Sequence, residues 1–370
     1  MDIKNGTRSA LIVGAGIAGL TAASALRRRG WLVEIVEKDA EGTSAGWGLS
    51  LTGPSLRALD DLGLTDRCLA AGYGMSVVTN TAPDGAESTF EFPRLIGRDR
   101  PAMAGIARPE LHRILRAEAL RLGTRIHFGL SVSRLGLENG RARAELTDAT
   151  TRTVDLLVGA DGIRSAVRDL IGRPTPIRYH GQQVWRALIP RPGWATGIHT
   201  FAGTGHQTGV VPISPSQAYV FLTENDVRPE DEPAPRMEDL LASFTGRAAE
   251  LRSLVARSDS VIRRPVRTTL AASSWSGGPG VIIGDAAHAP SPQTASGAAL
   301  AIEDGVILAR ELEDRPDVPE ALRAFAVRRG ERCAALVETS VAIAALERQG
   351  RHHESYPLIE ACHHRMALPA

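Results

Sequence analysis

The chain has 370 residues, 43% of them hydrophobic, and 43 basic against 42 acidic side chains leave a formal net charge of +1. That supports a large core, which favours two interleaved units because single cores rarely grow beyond ~250 residues. The evenly mixed charge gives no electrostatic basis for binding nucleic acid or an anionic membrane. Lysine occurs only at Lys4 and Lys38, so arginine carries the positive charge. Cys68, Cys333 and Cys362 are odd in number and scattered, which suits reduced thiols rather than a disulfide framework or a metal centre. A first strand near Ser9 leaves no room for a signal peptide, and no apolar run approaches the ~18 to 20 residues of a membrane span. The expectation is a cytoplasmic protein, monomer or homodimer, without stable membrane insertion and with no metal.

In chain order, residues 10–13 read as a short buried strand, followed by the glycine turn Gly14-Ala15-Gly16-Ile17-Ala18-Gly19 and an apolar-periodic helix to Arg29. This is the pattern of a dinucleotide site. Gly14 makes the tight turn, Gly16 lets the backbone approach a pyrophosphate and Gly19 lets helix pack on strand. A second strand, residues 32–36, ends at Glu37, placed to accept hydrogen bonds from an adenosine ribose, with Lys38 beside it. Residues 75–92 alternate and turn at Pro83-Asp84-Gly85, as a hairpin does. Arg108 precedes Pro109 at the start of a helix through Leu111, Ile114 and Leu115.

Residues 155–158 form another buried strand, and Gly159-Ala160-Asp161-Gly162 turns it toward a helix beginning near Ser165. Antiparallel strands are expected at 183–190, 197–202, 207–213 and 218–223. Period-two alternation puts His199 and Phe201 on one face and Tyr219 with Phe221 on another, without saying which faces a pocket. After a strand at 281–283, Gly284-Asp285-Ala286-Ala287-His288 opens a long loop through Pro292, before a helix from Gly297 to about Leu312. A last helix through Phe325, Arg328, Arg329 and Arg332 to about Arg348 spans both units. The histidine pairs at 352–353 and 363–364 belong to a solvated C-terminal segment, a zinc site with Cys362 needing four converging ligands.

In this order and spacing, the glycine fingerprint, the Asp161-Gly162 turn and the Gly284-to-His288 motif resemble the single-component, group A, p-hydroxybenzoate hydroxylase-like FAD-dependent monooxygenases, over roughly residues 10–345. The resemblance implies an α/β fold: a glutathione-reductase-type Rossmann-like FAD-binding domain (1–74, 100–178 and 266–318), an inserted antiparallel substrate sheet (75–99 and 179–265), and a C-terminal helical segment (319–370). FAD would be held by Gly14, Gly16, Ile17, Ala18, Gly19, Glu37, Lys38, Arg108, Asp161, Asp285, Pro292, Gly297, Ala298 and Ala299. Within that set Arg108 reaches the flavin phosphate or ribityl chain and Asp285 a ribityl hydroxyl. The helix start at Gly297 faces the flavin N1 and C2 carbonyl, where charge gathers on reduction. His288 holds its loop by a backbone hydrogen bond. Arg164 and Arg168 are typed for the phosphates of NADPH or NADH.

The implied reaction is hydroxylation of a small aromatic or polycyclic substrate with O2, through a flavin C4a-hydroperoxide. Arg186 and Pro292 are the catalytic candidates, and Trp185-Arg186 the pair expected at flavin or substrate. Ala295-Ser296-Gly297 departs from the Gly-Gln-Gly cluster common in the family. A halogenase with a partner reductase is the nearest rival: Trp185 to Pro190 approaches its Trp-x-Trp-x-Ile-Pro pattern, but Ala187 replaces the second Trp and neither lysine is placed to serve. A non-catalytic flavin binder would have degraded Asp161 and Gly284-Asp285 loops, and both are intact. A urate-hydroxylase-like role has Gln293 against it, where such enzymes carry an acid.

Overall fold

The computed structural model describes residues 7–42, 46–203, 205–228, 235–271 and 275–370; Lys4 lies outside them. A central sheet runs in the order Ser276–Gly277, Gly280–Ile282, Leu156–Gly159, Ser9–Val13, Leu32–Glu37, Arg125–Phe128, parallel throughout except at its first short strand. Its middle strands are almost wholly buried, as parallel strands covered on both faces must be. The helices Ile17–Arg28 and Gly297–Asp314 pack against each other beside it.

The second large sheet has eight strands: His288–Ala289, Val261–Leu270, Arg178–Pro190, Gln217–Asn225, His206–Pro212, Ile198–Ala202, Val77–Thr81 and Glu87–Glu91. The hairpin expected around Pro83-Asp84-Gly85 supplies its far edge. One feature differs from the expected all-antiparallel insert: Ile198–Ala202 pairs in parallel with Val77–Thr81. These strands come from distant parts of the chain, so no hairpin dictates their relative direction.

The closing helix Val318–Arg348 touches strands of both sheets. Its Arg329, wholly buried, is the centre of a polar network. Arg329 donates from Nε to Asp304 Oδ1 at 2.8 Å and from a terminal nitrogen to Glu303 Oε2 at 2.9 Å, and Arg332 completes Glu303 at 3.0 Å. The other Asp304 oxygen accepts the Gly284 N–H at 2.8 Å and faces His288 Nε2 at 2.6 Å. Burial alone would raise the Asp304 pKa, but His288 and Arg329 hold it below the ordinary value. Burial likewise opposes charge on His288, yet Cys333 and Asp304 raise its pKa well above normal.

The chain after Arg348 is not the solvated segment expected. It forms the helix His352–Ala367, with His352, Cys362, His363 and Met366 buried. His363 sits edge-on to Phe92 with ring centroids 4.6 Å apart. One histidine of each pair, His352 and His363, is buried while His353 and His364 stay exposed, and the neutral His363 ring packs among aromatics as a flat ring.

Replacing Arg329 by Met leaves Asp304 and Glu303 buried without their shared cation. The expected loss is about 3–5 kcal/mol of unfolding free energy, measured by urea denaturation; a loss under ~1 kcal/mol would show that the network does not hold the closing helix.

Candidate active site

The strand, glycine turn and helix at the N-terminus form as their residue types require. Gly14 has φ +106°, and a Cβ there would lie 2.4 Å from the Ala160 carbonyl oxygen; a Cβ on Gly19 would lie 2.0 Å from the Gly14 carbonyl oxygen. At Gly16 a Cβ would meet no protein atom within 4 Å, so the room there is left for a ligand. Gly16 caps the helix Ile17–Arg28 without any side chain covering its first N–H groups. Such a helix start binds phosphate.

From this turn a cleft of about 440 Å³ runs past Arg108, Gly162, Asp285 and Gly297 to Pro292. Ile17, Ala18 and Ala298 line it too. Arg108 opens the helix Arg108–Arg121. Asp285 is open to the cleft yet ringed by protein at longer range; this desolvation raises its carboxyl pKa against the pull of His288 and Arg108. At the far end the helix Gly297–Asp314 begins at Ser296, whose hydroxyl turns back to the Thr294 carbonyl and caps nothing. The N–H groups of its first turn therefore point out uncapped, a partial positive charge facing the cleft.

Other expected residues are placed differently. Gly14, Gly19 and wholly buried Ala299 shape the cleft from behind rather than line it. The Glu37 carboxylate accepts the Ala15 N–H at 2.7 Å and the Asp39 N–H at 2.9 Å, bracing the glycine turn, and Lys38 is exposed outside the cleft lining. Asp161 caps the short helix Ala166–Leu170, accepting from the Ser165 hydroxyl and from the N–H groups of Ala166 and Val167 at 2.5 to 3.1 Å. Arg164 is exposed, but Arg168 is buried and donates to the Ala286 and Ile163 carbonyls, joining the two motif loops; it has no surface to offer a nicotinamide phosphate. His288 does hold its loop, through the Asp304 side chain rather than the backbone. His288, Asp304 and Cys333 bring three potential ligand atoms within 4.8 Å of one another, but both Asp304 oxygens are already engaged as described.

A second cavity, of about 370 Å³, opens beyond the cleft, and Ser50, Val184, Arg186, Tyr219, Pro292 and Ala295 line both. The alternation left open by the sequence is resolved here. Tyr219 and Phe221 face the cavity, whereas His199 and Phe201 pack around Trp194 in a separate core. The same alternation separates the pair expected to act together: Arg186 faces the cavity, but Trp185 turns into that other core and donates to Glu224 at 2.9 Å. Burial lowers the Arg186 pKa, with Tyr219 opposing and Arg108 adding to the shift; guanidinium nevertheless stays protonated.

Sequence reasoning missed Arg264 and Arg267, which line the cleft from Val261–Leu270. It also missed Glu347, Tyr356 and His363, which close the cavity. Glu347 had a signal: it lies on the helical stripe of Leu336, Ser340 and Ile343, all buried, where an acid is out of place.

The FAD binding domain family model matches residues 7–339. The chain belongs to the group A flavoprotein monooxygenases. It is 35% identical to the 2-heptyl-3-hydroxy-4(1H)-quinolone synthase of Pseudomonas aeruginosa, over 81% of this chain and 79% of that one. It is 33% identical to the aurachin C monooxygenase/isomerase of Stigmatella aurantiaca, over 87% and 85%. The structure of 2-methyl-3-hydroxypyridine-5-carboxylic acid oxygenase superposes with a TM-score of 0.84 at 26% identity, covering 97% of this chain and 96% of that one. The protein is thus an enzyme of this family with FAD as its cofactor, and the open Gly16 cradle, the two uncapped helix starts and the intervening cleft fit that cofactor. Among the described residues no helix is long and apolar enough to cross a membrane.

Ala295 adopts φ +50°, the left-handed region, where the family commonly has glycine. Relief of that strain, ~1–2 kcal/mol, outweighs the added chain entropy of glycine, ~0.4–1 kcal/mol. Ala295→Gly is expected to raise the unfolding free energy by up to ~1 kcal/mol, and a clear drop in urea midpoint would contradict the strain.

Burial, helped by His364, lowers the His363 pKa from 6.5 to about 4. The folded state therefore binds its proton later than the unfolded chain does. The contribution of the neutral ring is complete above pH 6.5 and is lost as pH falls from there through about 4. Between pH 7 and 4.5 the wild type should lose about 2 kcal/mol more than His363→Phe; parallel stability curves for the two would dismiss this coupling.

Proposed function

We propose that the enzyme inserts one oxygen atom of O2 into a small, electron-rich aromatic heterocycle, with NADPH or NADH as the electron donor. The observation that carries this reading is the continuity of the two cavities at Pro292, Ala295, Arg186 and Tyr219, which sets a ligand chamber directly against the end of the cofactor cleft. The relative named for quinolone chemistry supports a fused, nitrogen-containing ring as substrate. FAD, when bound, carries the redox chemistry, passing electrons from the nicotinamide to O2 and an oxygen atom on to the substrate.

The chain's own residues do the rest. Phe90, Phe92, Ile198, Val211 and Phe221 make an apolar wall that excludes water from the reacting centre. Arg186 is the cation of the shared boundary, placed to hold an oxygen on the substrate ring that becomes negative as the ring is attacked. Pro292 fixes the turn between cleft and chamber, and the helix start at Gly297 offers its N–H groups to the flavin. Glu37 and Asp161 serve the cofactor indirectly, by fixing the two loops that cradle it.

FAD-loaded protein should oxidise NADPH slowly alone and at least ~10-fold faster with a quinolone, hydroxypyridine or phenol from a panel, with oxygenated product formed. Arg186→Met should lower kcat/KM by about 10- to 100-fold, the worth of a charge-assisted hydrogen bond. Inertness toward both nicotinamides would overturn the single-component reading in favour of a partner reductase.

A further inference from the structure

The described residues bury six acids: Glu118, Glu224, Glu303, Asp304, Glu311 and Glu347. Five have arginine partners: Glu118 with Arg28 and Arg121, Glu224 with Arg263, Glu303 and Asp304 with Arg329, Glu311 with Arg315 and Arg328. Glu347 has none. Glu347 is 2% exposed, and its carboxyl accepts one hydrogen bond, from Gln293 Nε2 at 3.1 Å; that amide also donates to Gln182 at 3.1 Å. A carboxylate can accept about four such bonds, and leaving one underpaired and buried costs several kcal/mol.

The position explains what the cost maintains. Glu347 lines the substrate cavity together with Gln293, the residue after Pro292, and with Tyr356 from the final helix, whose phenol is close enough for Glu347 to oppose its ionisation. Burial, only partly offset by Gln293, raises the Glu347 pKa to about 7, so near neutrality the group is available as both acid and base. The other carboxylate in the lining, Glu360, is half exposed, and besides Tyr219 and Tyr356 the other titratable side chains there are Arg186, His353 and His363, so Glu347 is the buried acid of the cavity.

We propose that Glu347 is a catalytic residue that accepts the proton of an acidic ring N–H or O–H on the substrate, which selects uncharged heteroaromatics carrying such a proton over carboxylated benzoates. In this step the N–H or O–H bond breaks, its electron pair stays with the ring, and the proton passes to a Glu347 carboxyl oxygen. The ring becomes more electron-rich where an electrophilic oxygen is to be received. A substrate carboxylate in the same place would meet the Glu347 charge. This inference rests on the monooxygenase reading above and narrows its substrate class.

The test uses FAD-loaded full-length protein, with 2-heptyl-4(1H)-quinolone, its N-methyl analogue and 4-hydroxybenzoate as probes, binding being read from the flavin absorbance. The wild type is expected to bind the N–H quinolone at least ~10-fold more tightly than either other probe. Glu347→Gln should abolish the N–H over N-methyl preference and lower kcat/KM for the N–H probe at least ~100-fold, with Glu347→Asp restoring part of both. Because the amide replaces an underpaired buried acid, Glu347→Gln should melt no lower than the wild type, which separates lost chemistry from lost folding. Equal wild-type affinity for the two quinolones, stronger binding of 4-hydroxybenzoate, or a preference retained in Glu347→Gln would each overturn the proposal. Flavin reduction by NADPH or NADH in the wild type, with each substrate-panel compound present, tells the two readings apart: failure with both nicotinamides strikes the single-component reading above, whereas success with any of those binding results strikes only the role of Glu347.

Discussion

The Asp304 carboxylate joins three parts of the molecule that the chain itself keeps apart. It sits on the helix Gly297–Asp314, receives the backbone N–H of Gly284 and the ring of His288 from the motif loop, and is clamped by Arg329 of the closing helix. Without that clamp the loop carrying Asp285, the uncapped helix start and Pro292 would have no common reference, because a loop has little of its own to hold it. A desolvated carboxylate is poor at adding stability but strict about geometry: it tolerates only arrangements that satisfy it from every side. The cofactor cleft inherits that strictness, as does the boundary with the substrate cavity.

How much of this was legible in the sequence depends on distance along the chain. The glycine turn, the strand ending at Glu37, the hairpin at Pro83-Asp84-Gly85 and the helix start at Gly297 are local patterns, and each appears where its residues indicate. Gly16, Arg108, Asp285 and Pro292 come together at one cleft because those motifs carry their own geometry. Contacts set by tertiary pairing are not legible in this way. Arg168 has the residue type for a phosphate, yet it is buried and the Ala286 carbonyl, 118 residues on, accepts from it. Residue type names the bonds a side chain can make, not which partner arrives first. The burial of His363 is hidden in the sequence for the same reason: the Phe92 ring it meets lies some 270 residues away along the chain.

The arginine-rich composition acquires a structural meaning in this light. Evenly balanced charge is uninformative about partners, but part of it serves the interior, where arginines, buried at Arg329 and reaching in from the surface elsewhere, neutralise five of the six buried acids. Arginine suits this because its planar donors reach two acceptors at once and it does not give up its proton. The structure is therefore tied together by directional polar contacts as well as by its large apolar core.

The strand Arg178–Pro190 has one further consequence. Odd and even positions along it serve different chambers, with Trp185, Ala187 and Ile189 in one core and Val184 and Arg186 at the cavity. Changes at even positions can reshape what the enzyme accepts while the opposite core remains as it was, so new specificities can arise by point substitution. Insertion or deletion of a residue there is a different event, since a slip of one exchanges the two faces and drives an arginine into hydrocarbon. Divergence at this strand is free in composition and fixed in length.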